Sequence, residues 1–371
     1  MDAHGLTETH EPLGRCEGPT ADRIQPPPPD GTGCLRVCLV GDFSGNLDEG
    51  YKNTSFYLAR GLEEKNTVLR LNVKRLATPR SWRRLVAARP EIIHTVAQPT
   101  NQSLIFTHLL RQAWPEARTV ISALRPECYF VGGRVSWRQR RLMHLSHPNL
   151  VLTQSSAARR EFEKLGCTAA ELPNGVDLER FRPVTEERKH QLRRQRGLDP
   201  DRPVALHVGH LQAARNLTAL NGLPQAGIQA VIAGSTYMGT NHALIGQLRE
   251  AGIHVFTGYQ PRVEELYMLA DCYVFPPRPG ASLTMPLSVL EAMACNLRVV
   301  TTRFHGLADA FEEGHGLRFI DAIESPHALL PHVREVLASP IPPATRPMVS
   351  AYSWQAVVHR LQGYYQGLLS R

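Results

Sequence analysis

Glu291 is the side chain from which chemistry can first be read. It lies in the stretch Pro276 to Thr302, PPRPGASLTMPLSVLEAMACNLRVVTT, framed by small and apolar residues. An apolar run from Ala270 to Pro276 reads as the end of a buried strand, and a glycine and proline loop follows from Gly280 to Pro286. Leu287, Leu290 and Ala294 then fall three and four apart, as on one buried helical face, and Leu297 to Val300 opens another strand. Strand, loop, helix and strand make one unit of a parallel α/β sheet. In open sheets of this kind ligands settle outside the carboxyl ends of the strands, where backbone N–H groups at a helix start favour anions. A carboxylate in the first turns of such a helix is either a ligand contact or a solvated surface residue.

The elements that must carry this unit are set by the bulk properties. A chain of 371 residues is long for one core and suits two domains. Hydrophobic content of 42% and charged content of 20% are those of a globular protein. No apolar run approaches the roughly 18 residues needed to cross a bilayer, and the first residues lack the basic-then-apolar pattern of a signal peptide, so a cytoplasmic location is expected. Seven scattered cysteines without a Cys-x-x-Cys pair fit reduced thiols, and no metal site is expected. The net charge of +8 comes largely from arginine, in clusters at Arg80 to Arg89, Arg134 to Arg141 and Arg193 to Arg196. Such clusters suit nucleotide phosphates or anionic lipid head groups; without zinc-finger spacing or an aromatic-rich RNA-binding motif, no nucleic-acid partner is expected.

Residues 1–33 are polar, end in a proline run and read as a disordered leader. Leu35 to Val40, the loop around Gly41 and Gly45, and a helix from Thr54 to Leu62 form a first βα unit, followed by strands at Val68 to Val73, Glu91 to Val96, Thr119 to Ala123 and Asn149 to Ser155. His94 within the third of these strands reads by itself as a core histidine. Asn174-Gly175 is a turn signal, because both residues tolerate positive φ. A basic helix from Glu186 to Arg196 leads to a second α/β series starting at Val204, and a final helix carries Val357, Leu361, Tyr364 and Leu368 as an apolar stripe.

Several of these runs together resemble the family 4 retaining glycosyltransferases. Pro286, Leu287, Leu290, Glu291, Ala292, Met293, Ala294, Val299 and Val300 stand in the family's Glu-Gly-Phe-Gly-Leu-x-x-x-Glu-Ala-Met-Ala-x-Gly-x-Pro-Val-Val pattern. Pro173-Asn174-Gly175-Val176-Asp177 with Phe181 and Pro183 matches its Pro-Asn-Gly-Val-Asp-x-x-x-Phe-x-Pro, which lies where the first domain passes to the second. Ile92-Ile93-His94 resembles its Asp-Ile-Ile-His-x-His strand, and Leu58-Ala59 with Gly50 its first glycine loop, although Glu49 occupies the first glycine position. The resemblance implies an α/β protein of GT-B type: two facing Rossmann-like domains, 34–183 on the acceptor side and 184–350 on the donor side, with residues 351–371 crossing back to the first.

The implied reaction is transfer of a sugar from a nucleotide-sugar to an acceptor hydroxyl, with retention, without a metal and without a further cofactor. The acceptor is a sugar, a lipid-linked hydroxyl or another hydroxyl, and the arginine clusters allow peripheral contact with an anionic membrane. By the same resemblance Arg215 and Glu291 are the principal groups, the first on the donor diphosphate and the second on the ribose hydroxyls. Gly209 and His210 stand at the family's Val-Gly-Arg, with histidine in place of arginine. Gly258 and Tyr259 stand at the nucleobase pocket. Ser282, Thr284 and Met285 stand where the first glutamate and the Gly-Phe-Gly lie, that glutamate being replaced by Leu283. On the acceptor side the candidates are Gly50, His94, Asn174 and Arg125, the last where relatives carry a histidine. These departures leave a second reading, a degenerate sugar-nucleotide-binding or scaffold subunit without efficient catalysis.

Overall fold

The computed structural model describes residues 34–47, 49–124, 136–235, 239, 241–278, 285–304, 306–321, 323 and 328–370. The first half builds a six-stranded parallel sheet from β1 (Arg36–Gly41), β2 (Thr67–Asn72), β3 (Ile92–Ala97), β4 (Arg118–Ala123), β5 (Leu150–Thr153) and β6 (Ala169–Glu171), in the order β2-β1-β3-β4-β5-β6. Its helices are α1 (Gly50–Glu63), α2 (Pro79–Ala88), α3 (Asn101–Ala113), α4 (Trp137–Ser146) and α5 (Ser156–Lys164). After α6 (Glu186–Gln195) a second six-stranded parallel sheet forms from β7 (Val204–His210), β8 (Gln229–Ser235), β9 (His254–Thr257), β10 (Cys272–Phe275), β11 (Arg298–Thr302) and β12 (Leu317–Ile320), ordered β12-β11-β10-β7-β8-β9. Helices α7 (His242–Glu250), α8 (Glu264–Met268), α9 (Leu287–Ala294), α10 (Leu307–Ala310), α11 (Leu330–Ala338) and α12 (Thr345–Met348) connect its strands or follow them, and α13 (Trp354–Leu369) closes the described chain. The strands are near-continuous Val, Ile and Leu runs because both faces of a parallel sheet are covered by helices.

Two strips of chain cross between the sheets and lie side by side. Val176 N–H donates to the Tyr352 carbonyl at 2.8 Å, and Trp354 N–H donates back to the Val176 carbonyl at 3.2 Å. Arg346 pins the outgoing strip, donating to the carbonyls of Phe181, Ala294 and Leu178 at 2.6 to 2.9 Å. Beyond this crossing α13 buries Trp354, Val357, Val358, Leu361, Tyr365 and Leu368 in the core of the first sheet, so the last helix belongs spatially to the first half. Tyr364, expected on that stripe, is only half-buried; its hydroxyl donates to the Glu171 carbonyl at 2.9 Å while Tyr365 takes the core position.

Asn174-Gly175 needs its glycine for a different reason from the one expected, since neither residue has positive φ. A Cβ on Gly175 would lie 2.4 Å from the Trp354 ring, so the glycine permits the two crossing strips to touch.

Candidate functional site

The carboxyl ends of the two sheets face each other across a cleft of about 700 Å3. From the second half come Gly209, His210, Arg215, Gly258, Tyr259, Met285 and Glu291, and from the first half Glu49, Gly50 and Asn174. Residues far apart in the chain thus meet at the place where parallel α/β sheets receive ligands. Ser282, Thr284 and Arg125 lie outside the described residues. The run Asp199-Pro200-Asp201, the one Asp-x-Asp of the chain, sits in the turn before β7, at the opposite end of that strand from the cleft.

Arg215 ends a short 3-10 turn, Ala213–Arg215, just beyond β7. Asn216 takes the left-handed conformation at φ 54° and donates its side chain to the Ile323 carbonyl at 3.1 Å, which ends the turn and fixes its direction. The Arg215 guanidinium lies over the Phe275 ring, 5.5 Å from its centroid, so its planar fork is held at the cleft wall by a cation–π contact.

Glu291 lies in the second turn of α9, whose buried face is Val289, Leu290, Ala292, Met293 and Ala294. Leu287, expected on that face, instead lines the cleft. The Glu291 Oε2 accepts a hydrogen bond from the Tyr267 hydroxyl at 2.7 Å. Burial raises its pKa; the Tyr267 hydrogen bond and the Arg180 charge act against burial without cancelling it. Tyr267 rises well above its ordinary value through its own burial and the neighbouring Glu291 charge, so it is a permanent donor to this carboxylate.

Gly258 has φ 82° and donates its N–H to the Gly234 carbonyl at 2.9 Å, and Tyr259 beside it is exposed in the cleft wall. His207 lies beneath Gly209, stacked near the rings of Tyr273 and Phe275. Its Nδ1 meets the Val274 carbonyl at 2.9 Å and so carries the proton, leaving Nε2 a bare buried acceptor under the cleft floor.

The acceptor-side candidates fare differently. Gly50 opens α1 and faces Leu287 across the cleft. Asn174 lines the cleft, but its side chain works as a clasp: it donates to the Met285 carbonyl at 2.7 Å and accepts from Gln154 at 2.7 Å and Thr54 at 3.3 Å. His94 must be corrected as a cleft residue. It is fully buried, with Nδ1 2.6 Å from the Tyr365 hydroxyl and Nε2 2.8 Å from the Ser122 hydroxyl, so it ties α13 to the first sheet. Burial lowers its pKa to about 3.

The unfolded chain protonates this histidine near its ordinary value of 6.5, whereas the folded protein resists until about 3. The stability His94 contributes is therefore present above about pH 6.5 and lost progressively as pH falls toward 3. Replacing His94 with phenylalanine is expected to lower unfolding free energy by about 2 to 3 kcal/mol at neutral pH, because both hydroxyl partners lose a hydrogen bond. It should also flatten the acid limb of a urea-denaturation series, and an unchanged acid limb would count against this role.

Three cleft residues escaped the sequence reading. Glu49 showed there only as the occupant of a glycine position, yet its carboxylate meets Ser235 at 3.1 Å and His210 at 3.3 Å across the cleft. Arg180, inside the Asn-Gly crossing run, pairs with Glu264 at 2.7 Å and lies near Glu291. Ser235, at the end of β8, carried no local signal.

Comparisons with known proteins bear on this cleft. Residues 188–353 match the family model described as "Glycosyl transferases group 1". The sulfoquinovosyl transferase SQD2 of Arabidopsis thaliana is 29% identical over 245 residues, 61% of this chain and 46% of that protein. A GDP-mannose-dependent alpha-(1-6)-phosphatidylinositol dimannoside mannosyltransferase of Mycobacterium tuberculosis is 30% identical over 201 residues, 51% of this chain and 49% of that protein. The chain spans about half the length of these curated relatives. Among solved structures, Anabaena HepE in complex with UDP and glucose superposes with a TM-score of 0.70 at 14% identity, covering 90% of this chain and 99% of that one. With its two facing parallel sheets the chain has the GT-B fold, and its residues 188–353 are similar to the glycosyl transferases group 1 family.

Proposed function

We propose that the protein transfers a sugar from a nucleotide-sugar to an acceptor hydroxyl, with retention at the anomeric carbon and without a metal. The observation that carries this reading is the convergence of Arg215 and Glu291 on one cleft, opposite the N-terminus of α1. As a nucleotide leaves a sugar, negative charge builds on the diphosphate and positive charge on the sugar. Arg215 and the start of α9 would receive the first, and Glu291 would accept hydrogen bonds from ribose hydroxyls. The names of the relatives, a sulfoquinovosyl and a mannosyl transferase, support the class of reaction.

The test is incubation with UDP-, GDP- and ADP-sugars, with and without excess chelator. Donor turnover or slow hydrolysis that survives the chelator, with the product anomer unchanged from the donor, supports the reading. Nucleotide binding without turnover would favour the degenerate subunit, and binding of none of these donors would sink both.

The acceptor side fits a lipid-linked hydroxyl presented at an anionic membrane. Helices α3 and α4 pack together and expose Ile105, Leu109, Trp137 and Leu145 beside Arg138, Arg140 and Arg141, and neither helix contains Asp or Glu. Apolar side chains rimmed by one sign of charge suit an anionic bilayer. Trp137→Ser with Leu145→Ser is expected to abolish cosedimentation with phosphatidylserine vesicles at physiological salt, and unaltered cosedimentation would remove this surface from the reading.

A further inference from the structure

Glu49 ends the loop before α1 and is only 5% exposed, although it carries a carboxylate at the lip of the cleft. It makes no capping bond to its own helix. Instead Oε1 accepts from the Ser235 hydroxyl at 3.1 Å, and Oε2 lies 3.3 Å from His210 Nε2. His210 and Ser235 are register partners at the carboxyl ends of β7 and β8. A negative charge from the first half therefore rests on the strand ends of the second, in the cleft that Gly209 and Arg215 also line. Strand ends of this kind are where α/β sheets receive anions, so the chain places its own anion in the region where the reading above puts a diphosphate.

We propose that Glu49 is a specificity-determining residue of the phosphate subsite, favouring a nucleotide-sugar over the free nucleoside diphosphate. The inference rests on the nucleotide-sugar reading of the cleft. An incoming diphosphate must take His210 and Ser235 from the carboxylate and then lie beside it. In a nucleotide-sugar both ends of the diphosphate are esterified, whereas the free nucleoside diphosphate carries one more negative charge near neutral pH. A fixed carboxylate repels both, and repels the second more. That difference acts on release of the nucleoside diphosphate rather than on bond cleavage, because the additional charge is complete only when the sugar has left. Ser235 and His210, returned to Glu49, complete the resting contact.

Calorimetry with UDP, UDP-glucose and uridine, and in parallel with GDP, GDP-mannose and guanosine, tests this on the full chain. Glu49→Gln keeps an oxygen acceptor for Ser235 and removes the charge. It is expected to tighten the free diphosphate about tenfold and the nucleotide-sugar about threefold or less, with the nucleoside within about twofold. Unchanged nucleoside affinity also shows that the fold is intact. Glu49→Asp keeps the charge and is expected to retain preference for the nucleotide-sugar. Equal tightening of both charged ligands by Glu49→Gln, no tightening, or loss of the preference in Glu49→Asp would overturn the proposal while leaving the nucleotide-sugar reading in place. Failure of wild type and Glu49→Gln alike to bind any of the six ligands would overturn both.

Discussion

Arg215→Ala is expected to weaken UDP or GDP binding by about 10- to 100-fold and to leave uridine or guanosine affinity within about twofold. The magnitude follows from the loss of a forked, charge-assisted contact, each such hydrogen bond contributing about 1.5 to 3 kcal/mol. The selectivity follows from position. Arg215 is held at the cleft wall by Phe275, while the Gly258 and Tyr259 backbone that would meet a base hangs from β9 and Gly234. Arg215→Lys should fall between, since an ammonium keeps the charge and loses the planar fork. Equal loss of diphosphate and nucleoside affinity in the alanine variant would show that Arg215 props the cleft open rather than gripping phosphate.

Glu291→Gln is expected to do two opposed things: lower donor affinity about tenfold and raise thermal stability. The first follows because an amide replaces one strong acceptor by a donor where ribose hydroxyls are to be held. The second follows from the environment of the carboxyl. Burial lifts its folded pKa above the unfolded value, so as pH rises between the two the unfolded chain releases its proton first and stability falls. The folded surroundings favour the uncharged carboxyl, so ionising it costs the native state stability that the unfolded chain does not lose. The glutamine removes that cost, and its carbonyl oxygen can still accept from Tyr267. Calorimetry and a melting curve of the same preparation check both halves. A variant that binds donor normally, or melts earlier at pH 7, contradicts the assignment.

The opposition has a physical basis common to binding sites. A carboxylate enclosed among apolar groups is poorly solvated, which makes it costly to the fold and effective toward a ligand that supplies the missing hydrogen bonds. Tyr267 and Arg180 supply part of that solvation in the native state, and neither cancels the effect of burial.

Particular elements show where local pattern was informative. Helix α9 and the strands on either side of it could be read because they are short apolar runs bounded by glycine and proline. Helix α1 starts four residues before the expected Thr54, because its first turn is polar: Asn53 ties it to the Glu49 and Leu47 carbonyls, and no apolar periodicity marks it. Helix α4 had no reading at all. Only Met143 and Ser146 of its ten residues are buried, so arginines dominate its pattern, and its start is set by a capping box between Ser136 and Gln139. Tyr364 and Tyr365 are adjacent near one buried helical arc, and only packing against His94 assigns the core to the second.

Local pattern in the sequence sets the alternation of strands and helices and the placing of Glu291 near a helix start, since each depends on neighbours within one element or one turn. Packing between elements far apart in the chain sets what those residues touch. His94 became a clasp for α13 because a helix 271 residues away in sequence lies on it. Glu49 became part of the cleft because Ser235, 186 residues away, faces it. Contacts of that span depend on how two separately patterned sheets are set against each other, and hydrophobic periodicity within either sheet carries no term for the distance between them.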